Sequence, residues 1–188
     1  MFVFFGDYDK YDWVLAVASA LSVVKQKEVT IVTDDLKSYK YFEGEISGIK
    51  IVKSNGNIKG LSVYDCRDVI IPDLDNKKVI LCTDMTRNSI DSVCGVYSKV
   101  NPTALVIANQ DSPISIKYIE TQIRPSVPVY TYEHNERRKI ELAFDGRVRF
   151  KTYDDKFLKT LGKFLVDHAE VPSNQLGSLW RYLRGKLV

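Results

Sequence analysis

The chain has 188 residues, 45% of them hydrophobic and 27% charged, the balance of an ordinary globular protein with enough length to bury a full core. A net charge of +3 is too small to imply nucleic-acid binding by itself. Cys66, Cys82 and Cys94 are odd in number and lack metal-ligand spacing, so they read as reduced core residues of a cytoplasmic protein. The amino terminus lacks a basic region followed by an apolar stretch and a small-residue cleavage site, so no signal peptide is expected. There is no run of about 18 apolar residues to form a spanning helix.

Phe2–Phe5 is short and apolar, as a brief buried strand would be. Trp13, Val14, Val17, Ala18, Leu21 and Val24 then recur at three- and four-residue steps, which predicts a helix capped by Asp12. The turn between them lies where open α/β sheets commonly bind phosphate-bearing ligands. A phosphate loop needs glycines, so that successive N–H groups approach the anion, plus a cation. This turn offers Gly6, Asp7, Tyr8, Asp9, Lys10, Tyr11 and Asp12, three carboxylates against one cation and no second glycine. At ~4 Å, each carboxylate–phosphate contact costs roughly 1–4 kcal/mol between bulk-water and protein-surface dielectrics. A nucleotide triphosphate is therefore repelled here. The turn reads as a solvated connection without ligand, or alternatively as a carboxylate-lined metal site.

Further along, 28–33 reads as a second strand ending at Asp34 and Asp35. A short helix and turn are expected over 37–48, a strand over 49–52, a turn at Ser54–Asn57, an unassigned segment to Asp65, and an apolar run at 68–71. KVILCT at 78–83 predicts a strand, followed by a helix carrying Ile90, Val93, Val96, Tyr97 and Val100 and stopped at Asn101-Pro102. A strand at 103–108, a helix at 114–123, a strand at 127–131 and helices at 134–144 and 154–168 complete the pattern. Continuously apolar strands alternating with helices predict an α/β fold: a three-layer, doubly wound, mostly parallel sheet with helices on both faces.

Asp7, Asp9, Asp34, Asp35 and Asp84 each follow a predicted strand, so parallel strands gather several of them on one sheet edge. Asp7, Asp34 and Asp84 are the candidate ligands for a magnesium ion; turn-starting and capping is the plainer role. His134 and His168 read as surface or cap residues. Arg137, Arg138 and Lys139, with Arg147, Arg149 and Lys151, read as a solvated helix face and hairpin rather than a nucleic-acid surface. After a break at 169–175, the tail carries Leu176, Leu179, Trp180, Leu183 and Leu187 on one helical stripe, with Arg181, Arg184 and Lys186 mostly off it. Such a basic amphipathic helix suits an anionic membrane surface or a protein partner, and packing back onto the domain is the alternative.

The order of elements, with Leu15–Leu21, Asp34, Thr83–Val93 and Ala104–Asn109 at matching places, resembles the MinD/ParA family of deviant P-loop ATPases over roughly residues 1–167. The resemblance implies a P-loop NTPase-like fold and, at Asn109, a neighbour of the nucleotide base. MinD proteins also carry a short basic amphipathic helix at the carboxyl terminus. The family's loop glycines, its two lysines and its hydroxyl ligand for magnesium are replaced here, with only Lys10 left to stand in for a lysine. The expectation is a domain over 1–168, a linker and a tail helix over 176–188. Its function would be that of a scaffold or adaptor without ATP hydrolysis, tethered by its tail and able to form a homodimer. The rivals are a magnesium-dependent phosphoryl-transfer or hydrolytic enzyme and a DNA partition or regulatory protein.

Overall fold

Phe2–Phe5 forms β1 at the middle of an eight-stranded sheet in a computed structural model, which describes residues 1–42, 44–53, 60–67 and 77–185. Around it lie α1 (Tyr11–Lys25), β2 (Val29–Thr33), α2 (Leu36–Tyr39), β3 (Glu45–Ile46), β4 (Ile49–Lys53), β5 (Leu61–Cys66) and β6 (Lys78–Thr83). Then follow α3 (Arg87–Tyr97), β7 (Ala104–Asn109), α4 (Ile116–Ile123), β8 (Val129–Glu133), α5 (Glu136–Asp145), α6 (Asp155–Ala169) and α7 (Leu176–Gly185). The strand order is β3-β4-β2-β5-β1-β6-β7-β8, parallel throughout except for the antiparallel β3–β4 pair.

Successive side chains of a strand point to opposite faces, and here both faces are apolar. Phe2 and Phe4, Ile80 and Cys82, and Ala104, Val106 and Ala108 enter a core shared with α1, α5, α6 and α7. Val3 and Phe5, Val79 and Leu81, and Leu105 and Ile107 enter the core beneath α3 and α4. The expected three-layer, doubly wound α/β architecture is the fold observed. From β1 the chain runs to β2 on one side; from neighbouring β6 it runs to β7 on the other. The topological switch point therefore lies at the carboxyl ends of β1 and β6, the position at which such sheets commonly bind ligands.

Several expectations are corrected. Residues 61–66 form β5, an interior strand between β2 and β1. The helix after β1 begins at Tyr11, with the Lys10 carbonyl accepting from the amides of Trp13 and Val14 at 3.0 and 3.1 Å, so Asp12 sits inside the first turn and is not its cap. The strand expected at 127–131 lies at Val129–Glu133. In place of a hairpin, residues Phe150–Thr152 make a single 3₁₀ turn. The turn at Ser54–Asn57 and the run at 68–71 lie outside the described residues.

The separate tail is corrected as well. Leu179 and Leu183 are buried in the α1-side core, and Leu176 and Trp180 pack against it. Trp180 stacks on Phe150 with centroids 6.1 Å apart. A Cβ on Gly162 of α6 would come within 3.0 Å of Leu176 Cδ1, which shows how closely α7 sits on that helix. Leu176, Leu179, Trp180 and Leu183 of the stripe thus extend the domain core.

Candidate functional site

The β1 exit is set by Gly6. A Cβ there would lie 2.0 Å from the carbonyl oxygen of Cys82, a separation no side chain tolerates, so glycine permits β1 and β6 to stay close where their loops diverge. The Gly6 amide donates to the Cys66 carbonyl at 3.1 Å, drawing the end of β5 to the same point. Gly6 is thus part of the sheet's closure rather than of an open cradle.

Four residues on, Lys10 turns inward. Its ammonium lies 2.7 Å from Asp65 Oδ1 and donates to the carbonyls of Gly6 and Cys66 at 2.9 and 3.1 Å. Two of its donors thus go to backbone carbonyls, and Asp65 balances its charge as an ion pair. Burial opposes the charge, but Asp65 outweighs it and raises the Lys10 pKa. The other Asp65 oxygen accepts from the Tyr39 hydroxyl at 2.7 Å.

Outside this buried pair stands Arg67. Its Nε donates to Asp7 at 2.9 Å, its Nη1 to Asp35 at 2.9 Å, and its amide to Asp34 Oδ1 at 2.8 Å. The Asp7 contact leads in raising the Arg67 pKa. Burial disfavours the Asp35 carboxylate, yet the Ser38 hydroxyl at 2.6 Å and Arg67 outweigh it and hold its pKa below the ordinary value. Asp84 points to its own turn and accepts from the Thr86 amide and hydroxyl at 2.8 and 2.6 Å. The predicted trio is therefore divided: Asp7 and Asp34 meet at Arg67, and Asp84 serves Thr86. Among the described residues no group of three His, Cys, Asp or Glu side chains is placed to hold a metal ion.

The rest of the loop is anchored from α5. Asp12 is fully buried and accepts from Arg138 Nε and Nη2 at 3.0 and 2.7 Å. The Arg138 guanidinium also lies 4.4 Å from the Phe157 ring centroid. Lys139 donates to the Asp9 carbonyl and lies 3.9 Å from Asp9 Oδ2. Burial raises the Asp9 pKa. Arg138 and Lys139 are thus buried partners of the loop, correcting their reading as a solvated face. Asn109 donates to both Glu133 oxygens at 3.1 and 3.0 Å, so its amide is engaged where the resemblance implies a base neighbour.

The cysteines follow the core reading in two cases: Cys66 and Cys82 are buried, whereas Cys94 is exposed. Burial, with Asp34 and Asp65 nearby, pushes the Cys66 thiol up to about 12, far from the thiolate a nucleophile needs. His168 is buried rather than superficial, with its Nε2 3.0 Å from the Tyr130 hydroxyl. His134 lies 2.6 Å from Glu136. In the tail, Arg181 is exposed and Arg184 bonds Asp155 at 2.8 Å. Leu187 lies outside the described residues.

Asp65, Arg67 and Tyr39 were not singled out by the sequence reading. The available signal was positional: Asp65-Cys66-Arg67 closes a short run as Asp34-Asp35 closes β2. Gly6, Lys10 and Asp65 join β1, β5 and the start of α1 in a buried ionic knot, while Arg67 bridges Asp7 and Asp35 above it. The Lys10 ammonium faces protein oxygens, and the turn from Gly6 to Asp12 has neither the second glycine nor the serine or threonine that a phosphate loop uses. Compared with known protein families the chain matches none, and the curated proteins give no match either.

Proposed function

We propose that the chain is a MinD/ParA-like domain without ATP hydrolysis that acts as a scaffold or adaptor for a protein partner. The observation that carries this reading is Lys10, the sole lysine of the β1–α1 turn, whose ammonium is engaged by Asp65, Gly6 and Cys66. In a working phosphate loop the same charge faces the phosphates. Arg67 supports the reading from outside, because a carboxylate pair already bridged by a guanidinium has little call on magnesium.

The tail supports a protein surface over a membrane tether, since Leu179 and Leu183 face the domain. Among the described residues no helix is long and apolar enough to cross a membrane.

The test is calorimetric titration of the full chain with Mg-ATP and Mg-GTP. No saturable heat at micromolar nucleotide is expected, and no phosphate release. A dissociation constant near 10 µM, about −7 kcal/mol, would end the reading.

A further inference from the structure

Phe144 is 87% exposed and Ile140, one turn before it, is 54% exposed, an unusual pair for α5, whose opposite side is buried through Arg138, Lys139 and Leu142. With Arg137 and Glu141 they complete the i, i+3, i+4, i+7 stripe of one helical face. This face, two apolar side chains beside an ion pair, lies on the side of α5 turned away from the core.

The charges around it define what it fits. From Glu136 to Arg149, the exposed and half-buried charges are Glu136, Glu141 and Asp145 against Arg137, Arg147 and Arg149, so the face has no net sign. Arg137 already pairs with Glu141 at 2.9 Å and Arg149 with Asp145 at 3.2 Å. A nucleic acid or an anionic bilayer gains by meeting a surplus of cations, and this face offers none. A neutral face with alternating signs complements itself.

We propose that α5 is the contact through which two copies of this chain pair, antiparallel about a two-fold axis between Ile140 and Glu141. A two-fold makes the contact isologous, each copy presenting the same patch. Residues whose numbers sum to 281 then face one another. Arg137 of one copy lies over Phe144 of the other, a cation–π arrangement, and exchanges its Glu141 for that of the second copy. Ile140 and Phe144 of both copies close the apolar centre. The pairing goes beyond the scaffold reading and needs no nucleotide.

The experiment is sedimentation velocity on the full chain over a concentration series without nucleotide, beside Ile140→Asp and Phe144→Asp, whose exposed positions leave folding unchanged by circular dichroism. A concentration-dependent dimer weakened at least ten-fold by either substitution is expected. Charge placement gives a second readout. Arg137→Glu and Glu141→Arg each remove the cross-copy attraction alone, whereas the two variants mixed restore it as a heterodimer. A monomer at every concentration, a dimer unmoved by the substitutions, or a mixture no better paired than its components would overturn the proposal. So would vesicle or oligonucleotide binding that Phe144→Asp abolishes while the chain stays monomeric.

Discussion

Lys10 and Asp65 face each other across the base of the β1–α1 turn at 2.7 Å, with 1% and 3% of their side chains exposed. Desolvating both ions costs several kcal/mol each, which their mutual attraction offsets together with the Gly6 and Cys66 carbonyls on the ammonium and the Tyr39 hydroxyl on the carboxylate. Removing one partner strands the other. Lys10→Met or Asp65→Asn alone is expected to lower the unfolding free energy by about 3–5 kcal/mol. The double variant, which keeps an acceptor for Tyr39, should lose much less than the two single losses combined. Urea unfolding at neutral pH measures all three, and additive losses would show that the charges do not depend on each other.

Arg67 gives a prediction about acid. The Asp35 pKa is held low in the folded chain, so its contribution to stability is present above the ordinary carboxylate pKa and fades as pH falls through the lowered value. Arg67→Gln removes the guanidinium and leaves the Ser38 contacts. The Asp35 carboxyl should titrate at higher pH in the variant, read by carbon-detected NMR, and the gap in stability between wild type and variant should narrow below about pH 4. An unmoved Asp35 titration would show that Ser38 alone depresses it.

His168 behaves in the opposite chemical sense with the same sign in pH. Burial lowers its pKa; Asp167 opposes that shift and Lys78 adds to it, and the Tyr130 hydroxyl meets its ring. The unfolded chain therefore binds the proton first, and folding loses stability as pH drops below about 6.5, by at most about 1.4 kcal/mol per pH unit for one proton. His168→Gln should flatten the stability profile between pH 7 and 5. A profile with the same slope in the variant would assign the titration to another group.

The alternation of apolar runs and helical stripes made the sheet legible, because β1, β6 and β7 are buried on both faces and read as continuous apolar runs. Leu61–Cys66 escaped because Ser62 and Asp65 interrupt it. A charge inside an interior strand is tolerable only through its partner, and Lys10 lies far away in the sequence. The same non-locality hid Arg138: a basic triplet looks solvated until Asp12, at the other end of the chain, is placed beside it. The Gly6 constraint was invisible for a related reason, since it depends on the approach of the Cys82 carbonyl. The tail stripe was legible as an apolar face, but periodicity cannot say what covers a face.

The cover on that face leads to the last prediction. Leu179 and Leu183 are 5% and 6% exposed, and Leu183 lines a small cavity with Ser19, Val23, Ile49, Val148 and Phe150, so α7 packs on α1 and on the 3₁₀ turn after α5. Truncating a buried leucine removes its transfer free energy and leaves a void, about 2–5 kcal/mol for Leu→Ala. Leu179→Ala and Leu183→Ala should each lower stability by that amount, while Arg181→Ala, on the exposed side, should change it by less than about 0.5 kcal/mol. A chain ending at Glu170 would expose the Phe150 ring and the α6 surface around Gly162, so it should unfold at lower urea and aggregate on concentration. Flotation with anionic vesicles should be equally weak for the full chain and for a Leu179→Glu, Trp180→Glu variant, whose defect is instead a loss of folding. A truncated chain as stable as the full one, or vesicle binding lost with stability intact, would return the stripe to a membrane role.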